Sequence, residues 1–385
     1  MSTKKFQDKY KFVVKKEMIF FLLITVIMVI MVTFGINSSM WTYENNSAQF
    51  LRSIVVEVVE DNVTYNQTGI PTGDQLLIVE LKSGSRQGEV VEVQNRLFPI
   101  DQAIRASIGD RLIIFFQEGV DGSYFAHVHG FDRVISVNIV IIGFLGLLIL
   151  IFGKSGLRAA FGLMFAFVSI IFLLLPLVIY GVPPGLITTC LSLLITSVSI
   201  ISIMGFEKKT LISILGSFIG IGCYIVFYFL IGAFLQINGT NINQVDILIN
   251  AGLHLSARQL LFSSILIASL GGIMDMSVTL ASAISEIRSA NEQIKFPDLY
   301  RSGMKVGRDI IGSSASTLIL AFTGTFLVSL VVFATTNTTS HVLISRNDVG
   351  IEVLRAVSAS VAMIICAPIT VLLGSSLFLK REEKI

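Results

Sequence analysis

Residues 260–284 read LLFSSILIASLGGIMDMSVTLASAI, a stretch of 25 residues with one ionisable side chain, Asp275. A helix needs about 20 apolar residues to cross the hydrocarbon core of a bilayer. A stretch this long and this apolar is typical of a transmembrane helix, and it sets the class of the protein.

Seven further stretches have the same character, and the composition agrees with them. Hydrophobic residues make up 53% of the 385 residues and charged residues 14%, whereas soluble proteins carry about 25% charged residues. The sequence predicts an all-α polytopic membrane bundle of about eight transmembrane helices. The predicted spans are 18–36, 134–152, 159–180, 185–205, 211–235, 260–284, 310–334 and 357–379.

Lysine and arginine placement predicts the orientation, because short cytoplasmic loops are enriched in these residues. Six lysines precede the first span, and the alternation of loops puts eighteen of the 28 basic residues on the same side. We therefore expect a plasma-membrane protein with a basic cytoplasmic N-terminus (residues 1–17), a retained anchor (18–36), a seven-helix transmembrane domain (134–379) and a cytoplasmic tail (380–385).

The segment 40–132 has a different composition. It contains charged residues, and short runs rich in β-forming residues replace the long apolar ones. Five such runs in about 90 residues predict a small extracellular barrel of OB or SH3 type, inserted after the first helix. The predicted strands are 54–59, 76–81, 89–93, 112–116 and 124–129.

Few residues suggest a metal, cofactor or nucleic-acid site. His127 and His129 share one face of a strand, but no third ligand is visible nearby, so we interpret them as surface histidines. The basic residues are explained by topology. We expect no catalytic residue, no bound metal, no cofactor and no nucleic-acid partner.

One polar stripe runs along the sixth span. Asp275, Thr279, Ser282 and Glu286 recur at helical spacing. A carboxylate in the bilayer core is unfavourable by about 2.5–3.5 kcal/mol on insertion scales, so we expect Asp275 to face the bundle interior. Such a residue can bind an ion or a proton, or it can be a packing acid hydrogen-bonded to neighbouring hydroxyls.

A matching pattern opens the seventh span. Arg308 and Asp309 start it, and Ser313 and Thr317 follow on the same face as Asp309. We expect Arg308 to neutralise Asp309 locally and this face to lie opposite the Asp275 stripe. The fourth span adds hydroxyls at positions 189, 192, 196 and 199, although such hydroxyls often bond back to their own helix.

These residues carry a resemblance to a known family. The runs GIMD (272–275), SAISE (282–286) and SGMKVGRDIIG (302–312) resemble those of the YibE/YibF-like bacterial membrane proteins. The layout of basic N-terminus, anchor, β-rich segment and helical bundle is similar as well. The resemblance implies a bacterial plasma-membrane protein and no established activity.

Three functions remain open at this point. The first is an ion-coupled permease or exporter of unknown ligand, built on Asp275 and acting alone, with a paralogous membrane subunit or as a homo-oligomer. The second is a non-transporting envelope sensor or assembly scaffold. The third, an intramembrane aspartyl protease with Asp309 as its second aspartate, is disfavoured because Met274 stands where a GxGD motif has glycine.

Overall fold

The computed structural model describes residues 3–38, 48–67, 69–84, 86–97, 104–119, 123–237, 255–335 and 339–379. The helices are α1 (Thr3–Asn37), α2 (Val134–Ser169), α3 (Leu175–Ile179), α4 (Pro184–Met204), α5 (Lys208–Phe234), α6 (Ala257–Ala290), α7 (Phe296–Thr335), α8 (Ser340–Ile344) and α9 (Asn347–Leu379), with a π-helical turn at Ile170–Leu174. The strands are β1 (Ala48–Asp61), β2 (Thr64–Tyr65), β3 (Pro71–Leu81), β4 (Val90–Leu97), β5 (Arg111–Glu118) and β6 (Tyr124–Phe131). The predicted tail, 380–385, lies outside the described residues.

The predicted fold class is confirmed. The chain divides into a unit of residues 39–151, which contains the barrel, and a helical unit formed by the rest. Each of the five predicted strands lies within or overlaps an observed one. The sequence also missed the two-residue β2.

The barrel closes in the strand order β1-β5-β6-β4-β3, and β3 pairs back onto β1. Neighbours are antiparallel except β4 and β6, which meet in parallel at Gln94 and His127. The long β1 pairs with both β3 and β5 and carries two register shifts after Val55 and Val58. Without the short β2 this is the Greek-key closure of an OB barrel, which resolves the alternative that the sequence left open.

Alternation along the strands explains the barrel core. On β4 the inward positions Val91, Val93 and Leu97 are buried, while residues 92, 94 and 96 are exposed. This period of two is what a sheet with one wet face requires. His127 and His129 contact the rings of Phe115 and Phe50 on the outer face of the barrel.

Two buried amides interrupt the apolar core of the barrel. Gln75 and Asn95 face each other across β3 and β4 and are 2% and 3% exposed. The Asn95 amide donates to Gln75 Oε1 at 3.0 Å and to the carbonyl of Ile104 at 2.7 Å. Gln75 exchanges two hydrogen bonds with the backbone of Ala106, at 2.9 and 3.1 Å. The network ties residues 104–106 to the sheet, while residues 109 and 110 bond the backbone of Val55 on β1.

Asp132 connects the barrel to the helix that follows it. Its carboxylate accepts hydrogen bonds from the Arg52 guanidinium at 2.7 Å and from the Val134 backbone N–H at 3.1 Å. Burial alone would raise the pKa of Asp132, but these two bonds, together with the positive charges of Arg52 and Arg111, outweigh it and hold the pKa below its usual value. Asp132 therefore stays ionised and caps the start of α2.

The helical unit packs closely around α5, α6 and α9. A Cβ added at Gly216 would lie 2.2 Å from Thr370 Oγ1, and one at Gly220 would lie 2.7 Å from Ile273 Cγ2. Between these glycines Ser217 hydrogen-bonds Ser277. The sequence pattern GxxxG is thus a packing site in which the backbone of α5 approaches two other helices.

One end of the helical unit gathers the basic segments, and we name it the basic end. Glu17 of α1 forms an ion pair with Arg158 of α2, and Phe20 meets the ring of Phe206. Met204 belongs to the same cluster as Ala281 and Phe378. The start of the apolar part of α1, the α4–α5 turn, the end of α6 and the end of α9 therefore lie together.

Helix α2 is broken at Gly153, whose backbone angles of 56° and −127° are not helical. Seven helices are long and apolar enough to cross a membrane among the described residues, and one of them is the 46-residue run from Val134 to Ile179. That run covers both the second and the third predicted spans. A positive φ of this kind favours glycine because a Cβ would be strained there.

The helices also extend past the predicted spans. Residues 286–307, predicted as a cytoplasmic loop, are mostly helical, with α6 ending at Ala290 and α7 starting at Phe296. The last helix begins at Asn347 and not near 357, so Arg355 lies on α9 and not in an outer loop. Hydropathy identifies only the apolar part of a helix. Polar turns at the helix ends are therefore not included in the predicted span.

Candidate functional site

The predicted stripe lies along α6, near the middle of that helix. Asp275, Thr279 and Glu286 are exposed, and Ser282 is half-buried. Within the described part of the chain, no hydrogen bond or ion pair involves any of these four side chains. The α6 face therefore presents one carboxylate and two hydroxyls in mid-span, and a second carboxylate near the basic end, all without protein partners.

The expectation that Asp275 faces the interior of its own bundle is wrong. The inward face of α6 is instead formed by apolar and small residues, among them Ile273, Met276 and Leu280, which are at most 1% exposed. Close packing against α5 and α9 takes up that face, so the polar stripe is left on the outside of the single chain. The helical period was right, but hydropathy alone does not identify which face the neighbours cover.

The α7 residues of the predicted site are also on the outside. Arg308, Asp309, Ser313 and Thr317 are all exposed. Ser313 and Thr317 donate to carbonyls of their own helix, at 3.0 and 2.9 Å. Their hydroxyls are satisfied locally, unlike those of the α6 stripe.

The predicted pairing of Arg308 with Asp309 is not observed. No ion pair within 4.0 Å involves either residue in the described ranges. Adjacent residues on a helix point about 100° apart, so their side chains do not face each other. Arg308 and Asp309 are therefore an exposed cation and an exposed anion that form no ion pair among the described residues.

Three close contacts show which residues of α6 and α7 lie at the same level along the helix axes. A Cβ at Gly272 would lie 2.9 Å from Leu318, one at Gly307 would lie 3.5 Å from Leu280, and one at Gly303 would lie 3.2 Å from Ile284. Because the two helices are antiparallel, interpolation puts Thr279 level with Arg308 and Glu286 level with Arg301. Asp275 lies one helical turn, about 6 Å, farther from the basic end than Arg308.

A second polar feature, which the sequence placed slightly differently, lies inside the unit. Thr188, Ser192 and Thr196 follow one another at four-residue spacing on α4 and are at most 1% exposed, and Ser263 on α6 is 6% exposed. Their hydroxyls have no hydrogen-bond partner in the structure. Thr189, predicted to belong to this face, instead donates to the carbonyl of Gly185 at 2.8 Å.

A charged cleft between α7 and the start of α9 was not anticipated. Glu352 and Arg355 form an ion pair of 2.8 Å there, with the Arg346 guanidinium 4.0 Å above the ring of Phe333. The cleft has a volume of about 570 Å³ and also contains the hydroxyls of Thr325 and Ser329. The three-residue spacing of Glu352 and Arg355 is typical of an ion pair on a helix. It was missed because the last span was predicted to begin at residue 357, after both residues.

The described residues hold no group of three or more histidine, cysteine or acidic side chains that could bind a metal ion together. The candidate chemistry of this region is thus that of isolated carboxylates, hydroxyls and guanidinium groups.

Comparison with known families bears directly on these helices. Residues 140–380 match the family described as YibE/F-like protein. The chain belongs to the YibE/F-like family. Neither the curated proteins nor the solved structures provide a match.

The YibE/F-like region contains the α6 stripe, the α7 stripe and the α4 hydroxyls, whereas the barrel strands between Ala48 and Phe131 lie outside it. Most of the YibE/F-like region therefore lies in the helical unit, and its first residues, 140–151, belong to the unit that contains the barrel.

Proposed function

We propose that this YibE/F-like protein is an ion-coupled permease or exporter whose coupling site is Asp275. The observation that carries the proposal is the partnerless α6 stripe, with a carboxylate at mid-span of a membrane helix. An ionisable residue at that depth is costly and is by default a functional group. The sequence predicts no catalytic residue among the candidate site residues. We therefore take the protein to be a transporter and not an enzyme.

Each residue of the stripe has a distinct task in this proposal. Asp275 takes up a proton or a monovalent cation and thereby loses its charge in the membrane. The hydroxyls of Thr279 and Ser282 add neutral oxygen ligands on the way towards the basic end, and Glu286 receives the ion there. The sequence contains no GxxxxGK[ST] phosphate loop, so the energy source is an ion gradient or a partner.

Replacing Asp275 by asparagine is expected to abolish coupled ion flux, a loss of about 100-fold or more, because asparagine keeps the shape of the side chain but cannot ionise. The measurement uses full-length protein in liposomes loaded with a pH-sensitive dye, with imposed proton, sodium or potassium gradients. Asp298→Asn, the same chemical change in the first turn of α7, is the matched control. A variant Asp275→Asn that inserts normally and conducts like the native protein would rule out a charge-based mechanism.

A sensor remains the second candidate, and one feature of the barrel favours it. A groove of about 730 Å³ runs along β3 and β4, the face that OB barrels commonly use for ligands. Its charged residues are Glu60, Asp74, Glu92 and Arg96, so its character is acidic. An acidic groove suits a cationic ligand and would repel nucleic acid. If the barrel is the functional part, Glu92→Gln and not Asp275→Asn would abolish signalling.

The orientation is also part of the proposal, and one structural fact supports it. Helix α1 and the second half of α2 are parallel neighbours, because Glu17 meets Arg158 at one end while Phe34 meets Tyr180 at the other. The chain must therefore return from one end of the bundle to the other between them. The uncharged residues 134–152 supply that crossing, which gives eight crossings, with both termini at the basic end and residues 40–132 outside the cell.

A cysteine at Ser123 is expected to react with a membrane-impermeant maleimide on intact cells, in a background without Cys190, Cys223 and Cys366. Ser123 is exposed at the start of the last barrel strand. A cysteine at Lys295, in the turn between α6 and α7, serves as the control and should react only after permeabilisation. The opposite pattern of labelling would reverse the orientation.

A further inference from the structure

The exposed faces of α6 and α7 carry opposite charges. The α6 face presents Asp275 and Glu286. The α7 face presents Arg301, Lys305 and Arg308, which are exposed and form no ion pair among the described residues, beside two exposed carboxylates, Asp298 and Asp309. One chain thus shows two acidic residues on α6 next to an excess of basic residues on α7.

The heights of the α6 acidic residues and the α7 basic residues also match. Glu286 is level with Arg301, and Arg308 is one turn closer to the basic end than Asp275. A two-fold axis along the membrane normal keeps every residue of a second copy at its own height. It places α6 of one copy against α7 of the other, so each acidic residue meets a basic residue near its own level.

We propose that a second copy of this chain covers the α6–α7 face, and that Arg308 of each copy pairs with Asp275 of the other. A long guanidinium side chain spans the one-turn difference in height and bonds a carboxylate with two parallel N–H donors. The site is incomplete in a single chain, because an unpaired carboxylate and an unpaired guanidinium would both face lipid.

The uncharged first half of α2 does not supply these counter-charges. Residues 134–152, VISVNIVIIGFLGLLILIF, contain no charged residue. That helix can exclude lipid but cannot neutralise Asp275 or Arg308. A second copy offers both counter-charges, and it does so twice by symmetry.

This inference concerns assembly and does not depend on transport. In the permease proposal, the transported ion competes with Arg308 of the other copy for Asp275. The first measurement is the number of chains per nanodisc for the full-length protein, by single-molecule photobleaching. Two copies are expected, and a single copy in most discs would overturn the proposal.

Charge exchange then tests the named pair. Asp275→Arg and Arg308→Asp, each alone, are expected to weaken association about tenfold or more, because each homodimer then opposes like charges. When the two variants carry different tags and are expressed together, a mixed dimer should form, because both of its pairs are again of opposite charge. Lys208→Asp, a charge reversal on an exposed residue at the start of α5, is the control and should leave dimers unchanged.

Variants that remove a charge without reversing it test the same pair if a reversed charge prevents membrane insertion. Asp275→Asn, Arg308→Gln and the double variant form a cycle measured by the same dimer count. A double variant that loses less than the combined effect of the two single variants supports the pair. Additive effects, or failure of the mixed dimer to form from two well-inserted variants, would refute it. No step of the experiment involves flux, so its outcome is separate from that of the permease proposal.

Discussion

Alanine at Gly216 or Gly220 is expected to destabilise the helical unit by about 1–3 kcal/mol each, the usual range for overpacking. The added Cβ would lie 2.2 Å from Thr370 Oγ1 in the first case and 2.7 Å from Ile273 Cγ2 in the second. Thr370 is fully buried and its hydroxyl already bonds the Cys366 carbonyl at 2.8 Å, so its side chain has little room to move. The helices α5 and α9 must separate to admit the methyl group.

Gly222 is the matched control for this prediction. It lies on the same helix, and a Cβ there would meet nothing within 4 Å. Gly222→Ala should leave stability unchanged or raise it by about 0.5–1 kcal/mol, because alanine is the better helix former. The measurement is the temperature at which the full-length protein in detergent loses its monodisperse peak on size exclusion. Equal melting temperatures for all three variants would show that α5 does not pack as described.

Leucine at Gln75 is expected to destabilise the barrel by about 2–4 kcal/mol, since each buried polar group left without a partner costs about 1–3 kcal/mol. The substitution removes the partner of the Ala106 N–H and of its carbonyl, and one acceptor of the Asn95 amide. Those groups are deeply buried, so water does not replace the lost bonds. Residues around Ala106 would then be held to the sheet less tightly, although residues 109 and 110 keep their backbone bonds to Val55.

Hydrogen exchange on the full-length protein measures this effect. Amides of residues 104–119 should exchange faster in Gln75→Leu, while those of α6 keep their native rates. Gln94→Leu, on an exposed position of the adjacent strand, is the control and should change little. Native exchange rates in the Gln75 variant would mean that the amide network contributes nothing to stability.

The fold was largely readable from the sequence, for physical reasons that differ between its parts. Long uncharged runs indicate helices apolar enough to cross a membrane, and such helices are observed at the predicted positions. Alternation such as that of residues 90–97 reports a strand with one wet face, and five barrel strands were found. The closing pair β1–β3 and the parallel contact of Gln94 with His127 join distant segments, and no local pattern encodes them.

The candidate site was readable only in part. Helical spacing correctly grouped Asp275, Thr279, Ser282 and Glu286 on one face of α6. It could not say that Gly216, Gly220 and Thr370 draw α5 and α9 onto the opposite face and leave this one outside. The relative levels of residues on α6 and α7 cannot be derived from the sequence either. They follow from the helix contacts at Gly272, Gly303 and Gly307, which place Arg308 level with Thr279.

The break at Gly153 has a consequence for the whole topology. As one straight rod the 46 residues from Val134 to Ile179 would be about 69 Å long, more than twice the hydrocarbon thickness. In the topology proposed above, the break at residue 153 turns this run into two crossings, which make the total number of crossings even; one crossing would make it odd. In that proposal, one backbone conformation decides on which side of the membrane every later turn lies.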